Sequence, residues 1–193
     1  MRITTGIYKG RNLVMPSGIR PTQNMVRKAI FDILGDIEGL SFLELFAGSG
    51  AVGFEALSRG AKSLRLVENN RDSLASIKKN MEILKIQSCQ VLQQDAIRAV
   101  EYFAKNNEKF DIVFLDPPYY VNRQAIQDSL KEDLTLAKKT LQSLNACDIL
   151  SPDGLVVVQH FQKDSLPDDL GVLSLLKKSS YGSTILSIYH KAS

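Results

Sequence analysis

With 193 residues, 44% hydrophobic and 23% charged, the chain has the make-up of one ordinary globular domain that buries a core without disulfides or a structural metal. Cys89 and Cys147 are too few for a disulfide framework and lack metal-ligand spacing, so Cys89 reads as a core thiol. No apolar run reaches the roughly 20 residues that span a bilayer, and Met1-Arg2-Ile3-Thr4 lacks an apolar signal region, so a cytoplasmic address with no membrane contact is expected. The net charge of +3 is unevenly spread. Through Phe31 the basic residues are Arg2, Lys9, Arg11, Arg20, Arg27 and Lys28, with no Asp or Glu, while the remainder is slightly acidic. Such a segment suits an arm facing phosphates, and on charge alone suits a solvated surface equally well.

Ile3 to Val14 alternates loosely, with Gly6 and Gly10 around Tyr8-Lys9, and predicts a short hairpin or irregular arm, placed as a unit over residues 1–20. Pro16, Gly18 and Pro21 break the chain; Thr22 then caps a helix from about Gln23 to Leu34, opening the domain at 21–193. Strand and helix alternate from there. Ser41–Phe46 is a strand and Ala51–Arg59 a helix stopped by Gly60; Ser63–Val67 is a strand ending at Glu68, followed by a helix over Asp72–Leu84. Cys89–Leu92 is a third strand, Ala96–Ala104 a helix, and Asp111–Leu115 a fourth strand. Helices near Gln124–Ser129 and Leu134–Asn145 lead to a turn at Pro152-Asp153-Gly154, the strand Leu155–His160, and two strands, Leu173–Ser180 and Thr184–Tyr189, joined at Tyr181-Gly182-Ser183. The pattern predicts an α/β fold: a Rossmann-like, doubly wound, mostly parallel seven-stranded sheet with an antiparallel C-terminal hairpin and a small N-terminal hairpin arm. Ligands of such sheets bind beyond the carboxyl ends of the strands, so the residues there decide function.

Gly48-Ser49-Gly50-Ala51-Val52-Gly53 matches G-x-G-x-x-G between strand and helix, and Glu68 closes the next strand twenty residues after Gly48. Glycines let a backbone approach a ligand, and a carboxylate accepts from ribose hydroxyls. The pair points to an adenosine-containing cofactor without saying which, and a nicotinamide dehydrogenase stays open here. Asp95 is placed to cap the helix at Ala96, to meet an adenine amino group, or both.

Asp116-Pro117-Pro118-Tyr119 follows the strand Ile112–Leu115. Two prolines fix φ, remove two donors and push their predecessors to extended backbone. The product is a stiff corner with free carbonyls, where an Asp side chain and a proline carbonyl grip the two hydrogens of a planar amine. Tyr119 offers a stacking face for a base lifted from its stack. A dehydrogenase has no use for this corner. The two histidines, His160 and His190, both fall in predicted strands, where packing is the expected role.

Leu43-Glu44-Leu45-Phe46-Ala47-Gly48-Ser49-Gly50 resembles motif I of class I methyltransferases, and Asp116-Pro117-Pro118-Tyr119 resembles motif IV of amino-group methyltransferases. Gly6-Ile7-Tyr8-Lys9-Gly10-Arg11, Arg20-Pro21-Thr22, Arg27 with Phe31, and Tyr181-Gly182-Ser183-Thr184 with Tyr189 resemble the bacterial 16S rRNA (guanine-966-N2) methyltransferase family over nearly the whole chain. The resemblance implies transfer of a methyl group from S-adenosylmethionine to a guanine N2 amine of 16S rRNA, by a monomer acting on a small-subunit assembly particle. It implies that Glu44, Phe46, Ala47, Gly48 and Gly50 line the methionine side of the cofactor, Glu68 the ribose, Asn69 the adenine, and Asp95 and Ala96 the adenine edge. Asp116, Pro117, Pro118 and Tyr119 would hold the amine. Thr22 and Arg27 would close over the cofactor or RNA, and Arg2, Lys9, Arg11 and Arg20 would meet RNA; no metal is implied. The chain departs from the motif in carrying Glu44 where Asp is usual, and Gln159-His160 where many relatives have an acidic residue. A DNA-adenine or protein-glutamine N-methyltransferase shares the corner chemistry, and a non-catalytic RNA-binding module shares the fold.

Overall fold

Strand rows that alternate between two apolar faces account for the architecture of the computed structural model, which describes residues 1–16, 24–118 and 135–191. Five helices and seven strands lie among those residues: α1 Asn24–Leu34, β1 Ser41–Leu45, α2 Ala51–Ser58, β2 Ser63–Glu68, α3 Arg71–Leu84, β3 Cys89–Gln93, α4 Ala96–Lys105, β4 Phe110–Leu115, α5 Leu136–Ala146, β5 Leu150–Phe161, β6 Leu173–Tyr181 and β7 Thr184–Lys191. Successive side chains of a strand point to opposite faces. Phe42, Leu64, Leu66, Ile112, Phe114 and Val157 accordingly pack with α1 and α2, whereas Leu45, Val67, Val113, Leu115, Val156 and Val158 pack with α4 and α5. Strands buried on both faces read as continuous apolar runs, as parallel sheets require.

The sheet order is β3-β2-β1-β4-β5-β7-β6. β1 pairs parallel with β2 and with β4, so the winding reverses between β1 and β4. β7 runs antiparallel between β5 and β6, and the expected hairpin therefore closes the sheet with its second strand inside. The element boundaries fall within a residue or two of the sequence expectation, except at β5. Pro152-Asp153-Gly154, expected as a turn ahead of the strand, lies inside it as a bulge. The register against β4 jumps from Phe110↔Leu150 to Ile112↔Leu155, and Asp153 takes φ 59°. Extra residues in one strand are absorbed in this way without ending the pairing. The helix expected near Gln124–Ser129 lies outside the described residues.

The N-terminal arm pairs with itself through one antiparallel bridge, Arg2↔Asn12, and through bonds from Ile3 N to the Arg11 carbonyl and from Gly10 N to the Ile3 carbonyl. It is docked on the sheet domain: Ile3 and Leu13 sit in the same apolar cluster as α1 and α2. Glu55 of α2 is wholly buried and receives Thr4 N at 2.9 Å, Thr4 Oγ1 at 2.6 Å and Thr5 N at 3.0 Å. Gly6 has φ +81°, and a Cβ there would lie 1.5 Å from the Ser58 carbonyl oxygen, so only glycine permits this approach.

Candidate active site

The parallel register that pairs Leu45 with Val67 and Leu115, and Leu115 with Val158, brings the next residues, Phe46, Glu68, Asp116 and Gln159, into one row at the carboxyl ends. By the alternation above, Glu68, Asp116 and Gln159 follow the face of the sheet that carries α2, whereas Phe46, at φ 58°, packs against the α4 and α5 cluster. Four strands thus converge at the switch point, where α/β sheets bind ligands.

The glycine loop turns the chain from β1 into α2 through left-handed backbone at Phe46 (φ 58°), Gly48 (φ 55°) and Gly50 (φ 74°). A Cβ on Gly48 would meet no protein atom within 4 Å, so the loop presents bare backbone to open space. Gly53 has the opposite reason: a Cβ there would lie 2.8 Å from Glu44 Oε2 and 2.6 Å from Leu64 Cδ1. Its absence seats the Glu44 carboxyl, which accepts from Gly53 N at 2.8 Å. Burial pushes Glu44 up to about 8 against the bonds from Gly53 and Val52, and the charges of Asp116 and Glu68 push the same way.

That seat works against the dinucleotide alternative. A pyrophosphate binds the free N–H groups at the N-terminus of the helix after the glycine loop, and here the Gly53 and Val52 N–H groups are bonded to Glu44. Glu44, Glu68 and Asp116 moreover gather three acids near the strand ends, a setting that favours a cationic ligand.

Glu68 is buried. Its Oε2 accepts from Gly48 N at 2.7 Å, and its Oε1 from Asn69 N and Asn70 N at 2.9 and 2.8 Å. One carboxylate thereby ties the glycine loop to the end of β2. Beside it lies a small cleft lined by Phe46, Val67, Glu68, Asn69, Gln94 and Ala96. Asp95 caps α4, accepting from Ile97 N and Arg98 N at 3.0 and 3.2 Å. Asp116 is half-buried, Pro117 buried and Pro118 exposed. Gln159 Nε2 donates to Asp116 Oδ2 at 2.7 Å.

The sequence-derived residues are not all brought together. Arg27, expected over the cofactor, is 1% exposed; it donates to the Arg2 carbonyl and Asn24 Oδ1 and lies 3.8 Å from Glu55. A buried guanidinium requires such partners, and that need commits Arg27 to anchoring the arm. Arg2, Lys9 and Arg11 are exposed. Arg20, Thr22 and Tyr119 lie outside the described residues. Gln94 and Gln159 were missed as lining residues, as was Asn80, whose Nδ2 bonds the carbonyls of Val14 and Ser49. Position at a strand end was the available signal for the two glutamines. His160 is buried against Ser187 Oγ at 2.9 Å, and burial lowers it to about 4, as a packed neutral imidazole.

A Rossmann-like fold with a glycine loop beside an Asp-Pro-Pro corner is the architecture of a methyltransferase. The chain belongs to the family described as Conserved hypothetical protein 95, whose model matches residues 1–190, a family of rRNA methyltransferases. It is 36% identical, over 99% of both chains, to a Bacillus subtilis protein named as an rRNA methyltransferase, YlbH. It is 31% identical to ribosomal RNA small subunit methyltransferase D of Haemophilus influenzae, over 98% of this chain and 93% of that one. Among solved structures, an Escherichia coli protein named as the methyltransferase yhhF superposes with a TM-score of 0.81 at 30% identity, covering 99% of this chain and 97% of that one.

Proposed function

We propose that this protein transfers a methyl group from S-adenosylmethionine to the exocyclic N2 amine of a guanine in 16S rRNA. The observation that carries the reading is the row of strand ends that sets Asp116, after β4, on one side of the glycine loop and Glu68, ending β2, on the other, with Glu44 on β1 beneath. The residues fit the cofactor: bare backbone at Gly48 opens on free space, and the acids suit a sulfonium and an α-ammonium. Glu44, Phe46, Ala47, Gly48 and Gly50 would hold its methionine end, Glu68 its ribose, and Asn69, Asp95 and Ala96 its adenine. When bound, the cofactor supplies an electrophilic methyl carbon on a positively charged sulfur.

Asp116 does its work by geometry. Its carboxylate and the Pro117 carbonyl accept the two N–H groups of a flat amine, which turns the nitrogen lone pair out of the ring plane toward the glycine loop. Positioning of this kind supplies much of the barrier reduction when two bound reactants meet in line. Pro118 keeps the corner stiff and Tyr119 stacks on the base. As the nitrogen gains the methyl it sheds one proton, for which Asp116 is the nearest acceptor.

The arm, residues 1–20, is the RNA-facing unit of this reading, with Arg2, Lys9, Arg11 and Arg20 against phosphates and residues 21–193 forming the catalytic domain. The relatives' names point to small-subunit rRNA; an assembly particle in the cytoplasm, met by a monomer, is the proposed setting. Mass mapping of 16S rRNA from cells lacking the protein tests it. One guanine should lose its methyl group and regain it when the gene is restored; an unchanged methylation map removes the proposal.

A further inference from the structure

Resting on the reading of Asp116 as the amine clamp, we propose that Gln159 is a positioning residue of the transfer reaction, fixing the Asp116 carboxylate in its amine-accepting orientation. Asp116 directly follows β4, and Gln159 holds one oxygen of its carboxylate. The register Leu115↔Val158 makes Gln159 the lateral neighbour of Asp116, and its Nε2 donates to Oδ2 at 2.7 Å. A hydrogen bond to a charged oxygen at this distance is of the strong kind.

The other end of the amide shows what that bond costs. Gln159 is 5% exposed, and its Oε1 is buried with no hydrogen-bond partner. An unpaired buried acceptor is unfavourable and calls for an explanation. Turning the amide over would point that carbonyl at the Asp116 carboxylate, oxygen against oxygen. The bond to Asp116 therefore dictates which way the amide faces, and the orphaned carbonyl is its consequence.

A donor is also the one side chain of this size suited to the position. Among the described residues, Glu44 on β1 lies close enough to Asp116, and to Glu68 on β2, for their charges to interact. His160 points to the opposite face of β5 and is bonded to Ser187. A fourth carboxylate at position 159 would compete with Asp116 for a shared proton. Gln159 supplies a hydrogen bond without charge.

The test uses the full-length protein, S-adenosylmethionine and small-subunit RNA, comparing Q159L, Q159E, D116A and the double variant D116A/Q159L. Q159L is expected to lower kcat about ten- to hundred-fold, the loss of one charge-assisted bond, with cofactor affinity and KM for RNA unchanged. Q159E, of the same size, is expected to lose activity as pH rises through a range where the wild type is steady, because two adjacent carboxylates share a proton only at lower pH. D116A/Q159L should be no slower than D116A, since a residue acting through Asp116 has nothing left to act upon. A wild-type kcat for Q159L, a Q159E profile that superposes on the wild type, or a loss confined to cofactor affinity would each overturn the assignment. Collapse of D116A with Q159L intact removes Gln159 alone; full activity in D116A removes the amine clamp itself.

Discussion

Asn80 reaches from the middle of α3 to the glycine loop, donating through Nδ2 to the Ser49 carbonyl at 3.0 Å. The same amide accepts from Val14 N at 2.7 Å and donates to the Val14 carbonyl at 2.9 Å. One wholly buried side chain thus binds the N-terminal arm and the glycine bend after β1 into a single unit. Asn80→Ala leaves three backbone groups short of a partner, and a loss of about 2–4 kcal/mol follows if one or two stay unsatisfied. Urea unfolding should show it as a lower midpoint with an unchanged slope.

Glu55 holds the other end of the arm, against Thr4, Thr5, Arg27 and Arg59. Glu55→Gln removes the charge that compensates buried Arg27 and is expected to cost about 3 kcal/mol. Since the bonds to Thr4 and Thr5 weaken together, trypsin should cut the arm at Lys9 or Arg11 faster than in the wild type. RNA affinity should fall while cofactor affinity stays, measured separately by filter binding and calorimetry.

Gly6→Ala attacks the same docking without touching charge. Its Cβ would lie 1.5 Å from the Ser58 carbonyl oxygen, on a backbone that already disfavours side chains. The arm should lift from α2, reproducing the protease sensitivity of Glu55→Gln and lowering the melting temperature.

The pH dependence of stability isolates Glu44. Its folded value of about 8 lies above the ordinary carboxyl value of 4.5, so between these limits the native state holds more protons than the unfolded chain and stability falls as pH rises. His160, lowered from 6.5 to about 4, acts oppositely, its contribution growing as pH rises from about 4 to 6.5. From pH 6.5 to 8 the Glu44 slope stands apart from that of His160. Glu44→Gln should flatten it in cofactor-free thermal melts.

What the sequence made readable was what is local. Gly48 to Gly53, Glu68 and Asp116-Pro117-Pro118 each carry their geometry in neighbouring residues: positive φ, a strand end, fixed φ. Burial of the strands on both faces made the parallel sheet visible as apolar runs. Asn80 and Gln159 could not be read so, because their partners, Val14 and Asp116, lie 66 and 43 positions away and an amide shows no periodic signal. Arg27, placed over the cofactor or RNA by the resemblance, could not be read as buried, because its counter-charge, Glu55, sits on another helix. The bulge at Asp153 was hidden because Pro-Asp-Gly spells a turn whether or not the strand resumes its pairing.

Most direct of all is single-turnover methyl transfer by Asp116→Ala with isotopically labelled S-adenosylmethionine and small-subunit RNA, run beside calorimetry of cofactor binding. Loss of the amine's acceptor should slow transfer by roughly a hundred- to a thousand-fold and leave cofactor affinity within about two-fold of the wild type. Transfer at the wild-type rate would contradict the placement of the target amine at this corner.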